Sequence, residues 1–186
     1  MKHLLLVVGL AALAMGGAGC LPESDQPLSP PEQAAYDARL QGVWRATTNE
    51  AVNYLHFGRM EGASASIVSV AHEKDGGLST SEYRMFSSVI GGVSYMNVQE
   101  KGAKAEEPKY LFVRYALPDP RTLDLWLVSD PKVERLIESG ALKGVVSTGQ
   151  FHTVRITDST SNLVRIVRSA KPDELFDFFG RYERVP

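Results

Sequence analysis

Tyr110-Leu-Phe-Val-Arg-Tyr-Ala-Leu117, Pro118-Asp-Pro-Arg121, Thr122-Leu-Asp-Leu-Trp-Leu-Val128 is the stretch on which the fold turns. Side chains of an extended chain point alternately to two faces. Leu111, Val113, Tyr115 and Leu117 therefore share one face, and Tyr110, Phe112 and Arg114 share the other. After residues 118–121 the pattern resumes with Leu123, Leu125 and Leu127. Proline presets φ and cannot donate to a strand ladder, so Pro-Asp-Pro-Arg predicts a turn and the whole stretch an antiparallel hairpin.

Outward from this hairpin the same rhythm recurs. Glu82–Ile90 and Val93–Gln99 flank Gly91-Gly92, a pair that tolerates the positive φ of a tight turn. Weaker strand signals cover Gly42–Thr48, Asn53–Met60, Ala65–Glu73 and Phe151–Thr157, with turns at Asn49-Glu50, Glu61-Gly62 and Asp75-Gly76-Gly77. The chain thus predicts a mainly β fold, a β-rich α+β domain. Its antiparallel meander either closes as a barrel or remains a strongly curved sheet.

Two helices are expected in the C-terminal third. One spans Pro131–Ser139, with Asp130 as N-cap, Val133, Leu136 and Ile137 on one face, and Gly140 as the left-handed stop. The other starts at Ser159 or Thr160 and turns Leu163, Ile166 and Val167 inward. Pro172 interrupts it, Asp173–Phe179 is a short aromatic segment, and Arg181–Val185 is a closing strand. Near the other end, Ser29 caps a short helix that runs to Leu40 and stops at Gly42.

Composition narrows the function classes. Of 186 residues, 44% are hydrophobic, which excludes a disordered chain, and the single cysteine excludes a disulfide within the chain. Twenty Lys and Arg stand against 22 Asp and Glu, a net charge of -2. A phosphate-binding face needs a cationic excess, so no nucleic acid is expected as partner.

The first residues read as export machinery. Met1-Lys2-His3 is a short cationic start, and Leu4–Met15 is an apolar run too short to be a good membrane span before Pro22 and Glu23 intervene. Gly16-Gly17-Ala18-Gly19-Cys20 resembles the lipobox of bacterial lipoproteins, with Gly17 where that family usually carries Leu. The resemblance implies cleavage before Cys20 and lipid attachment at Cys20. Leu21 after the cysteine, in place of Asp, resembles proteins sent to the outer membrane. Expected boundaries are a signal peptide over 1–19, the lipidated Cys20 with a Pro-rich tether over 20–31, and one β-rich domain over 32–186. Pro22, Pro27, Pro30 and Pro31 favour an extended spacer, roughly 30 Å at about 3.1 Å per residue.

Leu40-Gln41-Gly42-Val43-Trp44, a short helix leading into Gly-x-Trp on the first strand, resembles the opening of lipocalins and other calycin-like barrels. In that family the Trp plugs the closed end of the barrel, packed on an Arg from near the chain end. The resemblance gives Gly42 and Trp44 structural roles and makes Arg181 or Arg184 the partner.

Chemistry is harder to find. His56, His72 and His152 lie on separate strands without a metal-ligand spacing, and no Gly-x-Ser-x-Gly elbow occurs. Ser64, Ser66 and Ser69 read as small side chains on a close-packed strand. Asp119, Asp124 and Asp130 cluster near one hairpin end, but Asp119 has a turn and Asp130 a cap to serve. Lys101–Pro108 reads as a solvated hairpin loop. No catalytic residue, metal ligand or cofactor is expected.

The aromatic strands carry what functional signal there is. Tyr54, Tyr83, Tyr95 and Tyr115 are the candidate ligand-binding side chains of a barrel interior that holds a lipid or other small apolar molecule. The competing expectation is an envelope interaction module with a filled core, which would display an apolar patch around Phe176, Phe178 and Phe179.

Overall fold

The computed structural model describes residues 21–33, 35–48, 51–62, 64–102, 109–149 and 152–186. Residues 1–20, which hold the expected export segment and Cys20, lie outside them, as does most of the 101–108 loop.

A two-residue strand, β1 (Glu23–Ser24), is the first element among the described residues. Seven strands follow: β2 (Gly42–Thr47), β3 (Ala51–Glu61), β4 (Ser64–Glu73), β5 (Leu78–Ile90), β6 (Val93–Glu100), β7 (Leu111–Asp119) and β8 (Thr122–Val128). After helix α1 (Asp130–Glu138) come β9 (Gly144–Thr148), β10 (His152–Ile156), α2 (Thr160–Ser169), α3 (Pro172–Leu175) and β11 (Phe176–Arg184). The order β11-β2-β3-β4-β5-β6-β7-β8 closes on itself as an eight-stranded antiparallel barrel. Closure settles the choice between barrel and open sheet. It is made by β11, which pairs with β8 from Phe176↔Val128 onward and with β2 at Arg184↔Trp44.

The hairpin of the opening stretch forms with the expected residues on one face, Val113 opposite Leu127 and Tyr115 opposite Leu125. Gly91 and Gly92 have φ of 59° and 80°, the left-handed conformation that the tight turn between β5 and β6 requires. Helix α1 begins one residue early, with Ser129 as N-cap and Asp130 inside the first turn. The segment before Gly42 forms two 3-10 turns, Pro31–Gln33 and Ala38–Leu40, rather than one helix. The expected strand near residue 151 is β10, yet it stands outside the barrel in a three-stranded sheet of order β1-β10-β9. The closing strand β11 starts at Phe176, five residues earlier than the sequence suggests, and takes in most of the aromatic segment.

Two apolar cores result. The first fills the barrel, with Trp44, Phe57, Tyr83, Met96, Leu125 and Tyr182 among its members. The second lies outside the barrel wall, where Phe86, Tyr95, Tyr110 and Phe112 meet Val133 of α1, Val154 of β10 and Leu163 of α2. Both faces of β5–β8 are therefore buried along much of their length.

The segment expected as a spacer is part of this fold. Ser24 and Tyr110 exchange two backbone hydrogen bonds of 2.9 and 2.8 Å, and β1 pairs in parallel with Arg155 and Ile156 of β10. Farther along, the Leu28 N–H donates to Asn97 Oδ1 at 2.7 Å, and Ala35 bridges Ser87 of β5. Prolines deny a segment helix and interior-strand positions; they do not deny it an apolar surface, and Pro22 and Leu28 are fully buried here. Residues 21–33 and 35–40 form a strap that runs along the barrel, with Leu21 and Leu40 turned into its interior core.

Candidate functional site

The two ends of the barrel differ. One end carries the β3–β4, β5–β6 and β7–β8 turns and the start of β2. There the Trp44 indole is fully buried, and its Nε1–H donates to the Leu40 carbonyl at 2.7 Å. The Arg184 guanidinium lies over the ring with its Cζ 4.2 Å from the centroid, and donates to Gln41 O at 2.7 Å, Pro120 O at 3.0 Å and Arg39 O. Gly42 has φ +124°, and a Cβ there would sit 2.9 Å from Arg184 Nη1. The Gly-x-Trp pattern thus has a local cause: the glycine makes room for the arginine that caps the tryptophan. Of the two expected partners Arg184 takes this role, while Arg181 pairs with Asp124 on the outer wall at 2.7 Å.

Tyr36 and Tyr115 complete this closed end. The Tyr36 hydroxyl donates to Gly58 O at 2.7 Å, and Tyr115 Oη lies 3.3 Å from Ser87 Oγ and 3.4 Å from Asp37 Oδ2. Burial raises the Tyr115 pKa. Deeper in the same interior, burial pushes the Tyr182 phenol up to about 12.

The other end carries the β2–β3, β4–β5 and β6–β7 connections; it is termed the mouth because the interior cavity lies toward it. Here the interior holds an apolar cavity of about 30 Å³, lined by Phe57, Ile67, Tyr83, Met96, Leu111 and Leu127 among others, with Leu21 of the strap set into it. At this volume the cavity is far smaller than the roughly 150 Å³ known to hold a benzene ring. The interior is filled at rest.

One group in that lining is out of keeping. Tyr83 is fully buried, and its hydroxyl makes no hydrogen bond of normal geometry. Burial raises its pKa, with Ser81 on the same strand face offsetting part of the shift. A hydroxyl buried without a full partner costs about 1–3 kcal/mol.

The four candidate tyrosines therefore part company. Tyr83 alone of them lines the cavity. Tyr115 is interior but belongs to the closed end. Tyr95 points outward into the second core, 5.6 Å from the Phe176 ring, and Tyr54 lies half-buried on the outer wall, edge-on to His72 at 5.8 Å. Alternation places Tyr54 on the face opposite Leu55 and Phe57, which point inward. Leu21, Met96 and Val98 escaped the sequence reading because nothing local tells a cavity wall from a core.

The expected aromatic patch also dissolves. Phe176 is buried under the helices, and Phe179 packs toward the barrel interior after the bulge between Phe178 and Gly180. Only Phe178 stays exposed, edge-on to Trp126 at 5.5 Å.

Among the other polar groups, His152 lies 3.4 Å from Asp130 and 3.7 Å from Glu134, tying β10 to α1. No three His, Cys, Asp or Glu side chains among the described residues are grouped to hold a metal ion. No family model, characterised protein or solved structure matches the chain.

Proposed function

We propose that this chain is an envelope lipoprotein, anchored through Cys20 to the periplasmic face of the outer membrane, whose lipocalin-like barrel takes one slender apolar molecule, lipid-like in character, through its mouth. The observation that carries the ligand reading is the cavity inside the barrel: the surface it presents is wholly apolar. A hydrocarbon entering there would displace Leu21. No chemistry on the ligand is part of this reading.

Native mass spectrometry of residues 21–186, produced as an exported protein without the lipid, tests it. A reproducible added mass, released on denaturation as a lipid or other apolar molecule, is the expected result. A clean apo mass that persists after incubation with envelope lipid extract would overturn it.

The small cavity volume and the exposed Phe178, edge-on to the half-buried Trp126, favour a second reading, an accessory module that docks on another envelope protein through its outer wall. Capture of an envelope protein that is lost on Phe178→Ser would decide for it.

A further inference from the structure

We infer that the barrel stands on the membrane with its mouth against the lipid, because the strap delivers the anchor point to that mouth and leaves no slack; the inference rests on lipid attachment at Cys20.

A flexible spacer would let the domain tumble above the bilayer. The strap removes that freedom. Glu23 pairs with Lys109 at 2.8 Å and Asp25 with Arg155 at 2.7 Å, and the Ser24–Tyr110 exchange fixes the chain between them. Pro22 is fully buried, and Leu21 is seated among the side chains of the cavity. The segment beyond the described residues ends here, and consecutive Cα atoms are about 3.8 Å apart. Acyl chains attached one residue before Leu21 would then enter the bilayer beside this end of the barrel. Two or more chains hold such a protein firmly, since each buried CH₂ contributes about 0.8 kcal/mol. The occupant of the mouth's surroundings is thus a lipid surface, and an apolar ligand would pass between bilayer and barrel without crossing bulk water. Leu78, exposed at the β4–β5 turn on this end, would face the lipid, and Val89, exposed at the β5–β6 turn, would face away. Both lie on β5, eleven residues apart. At about 3.3 Å per residue and a strand tilt of 35–45°, that separates them by roughly 25–30 Å along the barrel axis.

The test uses the full-length lipoprotein in vesicles of phosphatidylethanolamine and phosphatidylglycerol that contain headgroup-nitroxide lipid. With Cys20 consumed by the anchor, Leu78→Cys and Val89→Cys each offer one thiol for a fluorophore. The expected result is several-fold stronger quenching at position 78 than at 89. Insertion of about ten Gly and Ser residues between Cys20 and Leu21, a flexible reach of roughly 17 Å, should abolish the difference. Equal quenching at both positions, or stronger quenching at 89, in protein whose mass shows the acyl chains would overturn the orientation alone. A mass without acyl chains would overturn the anchor and the orientation together.

Discussion

Arg184 lies over Trp44, Cζ 4.2 Å from the ring centroid, and the same guanidinium donates to the carbonyl oxygens of Arg39, Gln41 and Pro120, where the first and last barrel strands meet. The contact joins the last barrel strand to the first, so closing the barrel and plugging its base are one event. Cation–π pairs of this kind contribute about 0.5–2 kcal/mol according to how far they are desolvated.

Trp44→Ala is expected to destabilise the domain by about 3–5 kcal/mol, because a fully buried indole leaves a cavity that its neighbours cannot fill. Arg184→Lys keeps the charge but loses the planar stack and most of the carbonyl bonds, and should cost about 1–2 kcal/mol. Denaturant melts measure both. A loss below about 1 kcal/mol for Trp44→Ala would show that the plug carries no weight.

Tyr83→Phe should leave the unliganded protein as stable as before or raise it by up to about 1 kcal/mol, since it removes a hydroxyl that lacks a full partner. Leu21→Ala should increase uptake of a polarity-sensitive apolar dye by enlarging the opening. Dye titration and thermal melts give both readings. Marked destabilisation by Tyr83→Phe would mean that the hydroxyl is satisfied in the free protein.

Asn97 is completely buried beneath the strap. It accepts from the Leu28 N–H at 2.7 Å and donates to Ser88 Oγ at 2.8 Å and Phe86 O at 3.3 Å. Asn97→Ala strands those groups and is expected to cost about 2–3 kcal/mol. Its distinctive sign is faster amide exchange at Leu28 and easier proteolysis within 21–30. Unchanged exchange at Leu28 in the variant would argue against a pinned strap.

Asp158 governs part of the response to acid. Burial pushes its pKa up, but N–H bonds from Lys143 at 2.9 Å, Asn162 at 2.5 Å and Ser159 at 2.8 Å outweigh it, so the carboxyl titrates below the usual 3.8. A folded pKa below the unfolded value gives stability that is present above pH 3.8 and lost as pH falls through the lowered value. Asp130 acts in the opposite sense: burial raises its pKa, only partly offset by His152, so its contribution improves as the medium acidifies. Asp158→Asn should weaken the protein at neutral pH and flatten its stability profile below pH 3.8. Parallel profiles for variant and parent would contradict the assignment.

Particular residues show what could be read in advance. Leu111, Val113 and Tyr115 alternate with Tyr110, Phe112 and Arg114 in the chain and do so in the barrel wall, because pleating is a property of the local backbone. Ser159 caps α2 through its side-chain bond to the Asn162 N–H, and Gly140 follows α1 at φ +74°, both for reasons contained within a few residues. Tyr54 was placed with the wrong face. It sits on a strand as expected, but which face points inward depends on the register with β2 and β4. The Pro-rich spacer segment packs for a similar reason: its prolines disfavour helix and interior strand but say nothing of the surface that receives Pro22 and Leu28.

The sequence by itself determined the strands, their turns, the caps of the helices and the Gly-x-Trp base, all of which follow from φ preferences, pleat and short-range hydrogen bonds. The tertiary structure alone decided that the sheet closes, that a second core covers the barrel's outer wall, and that Leu21 shares the lining of the interior cavity with Tyr83. Those outcomes rest on partners such as Leu28 with Asn97, 69 residues apart, and Asp25 with Arg155, 130 apart. Contacts over such distances are selected by the packing of the whole chain, which no local window contains.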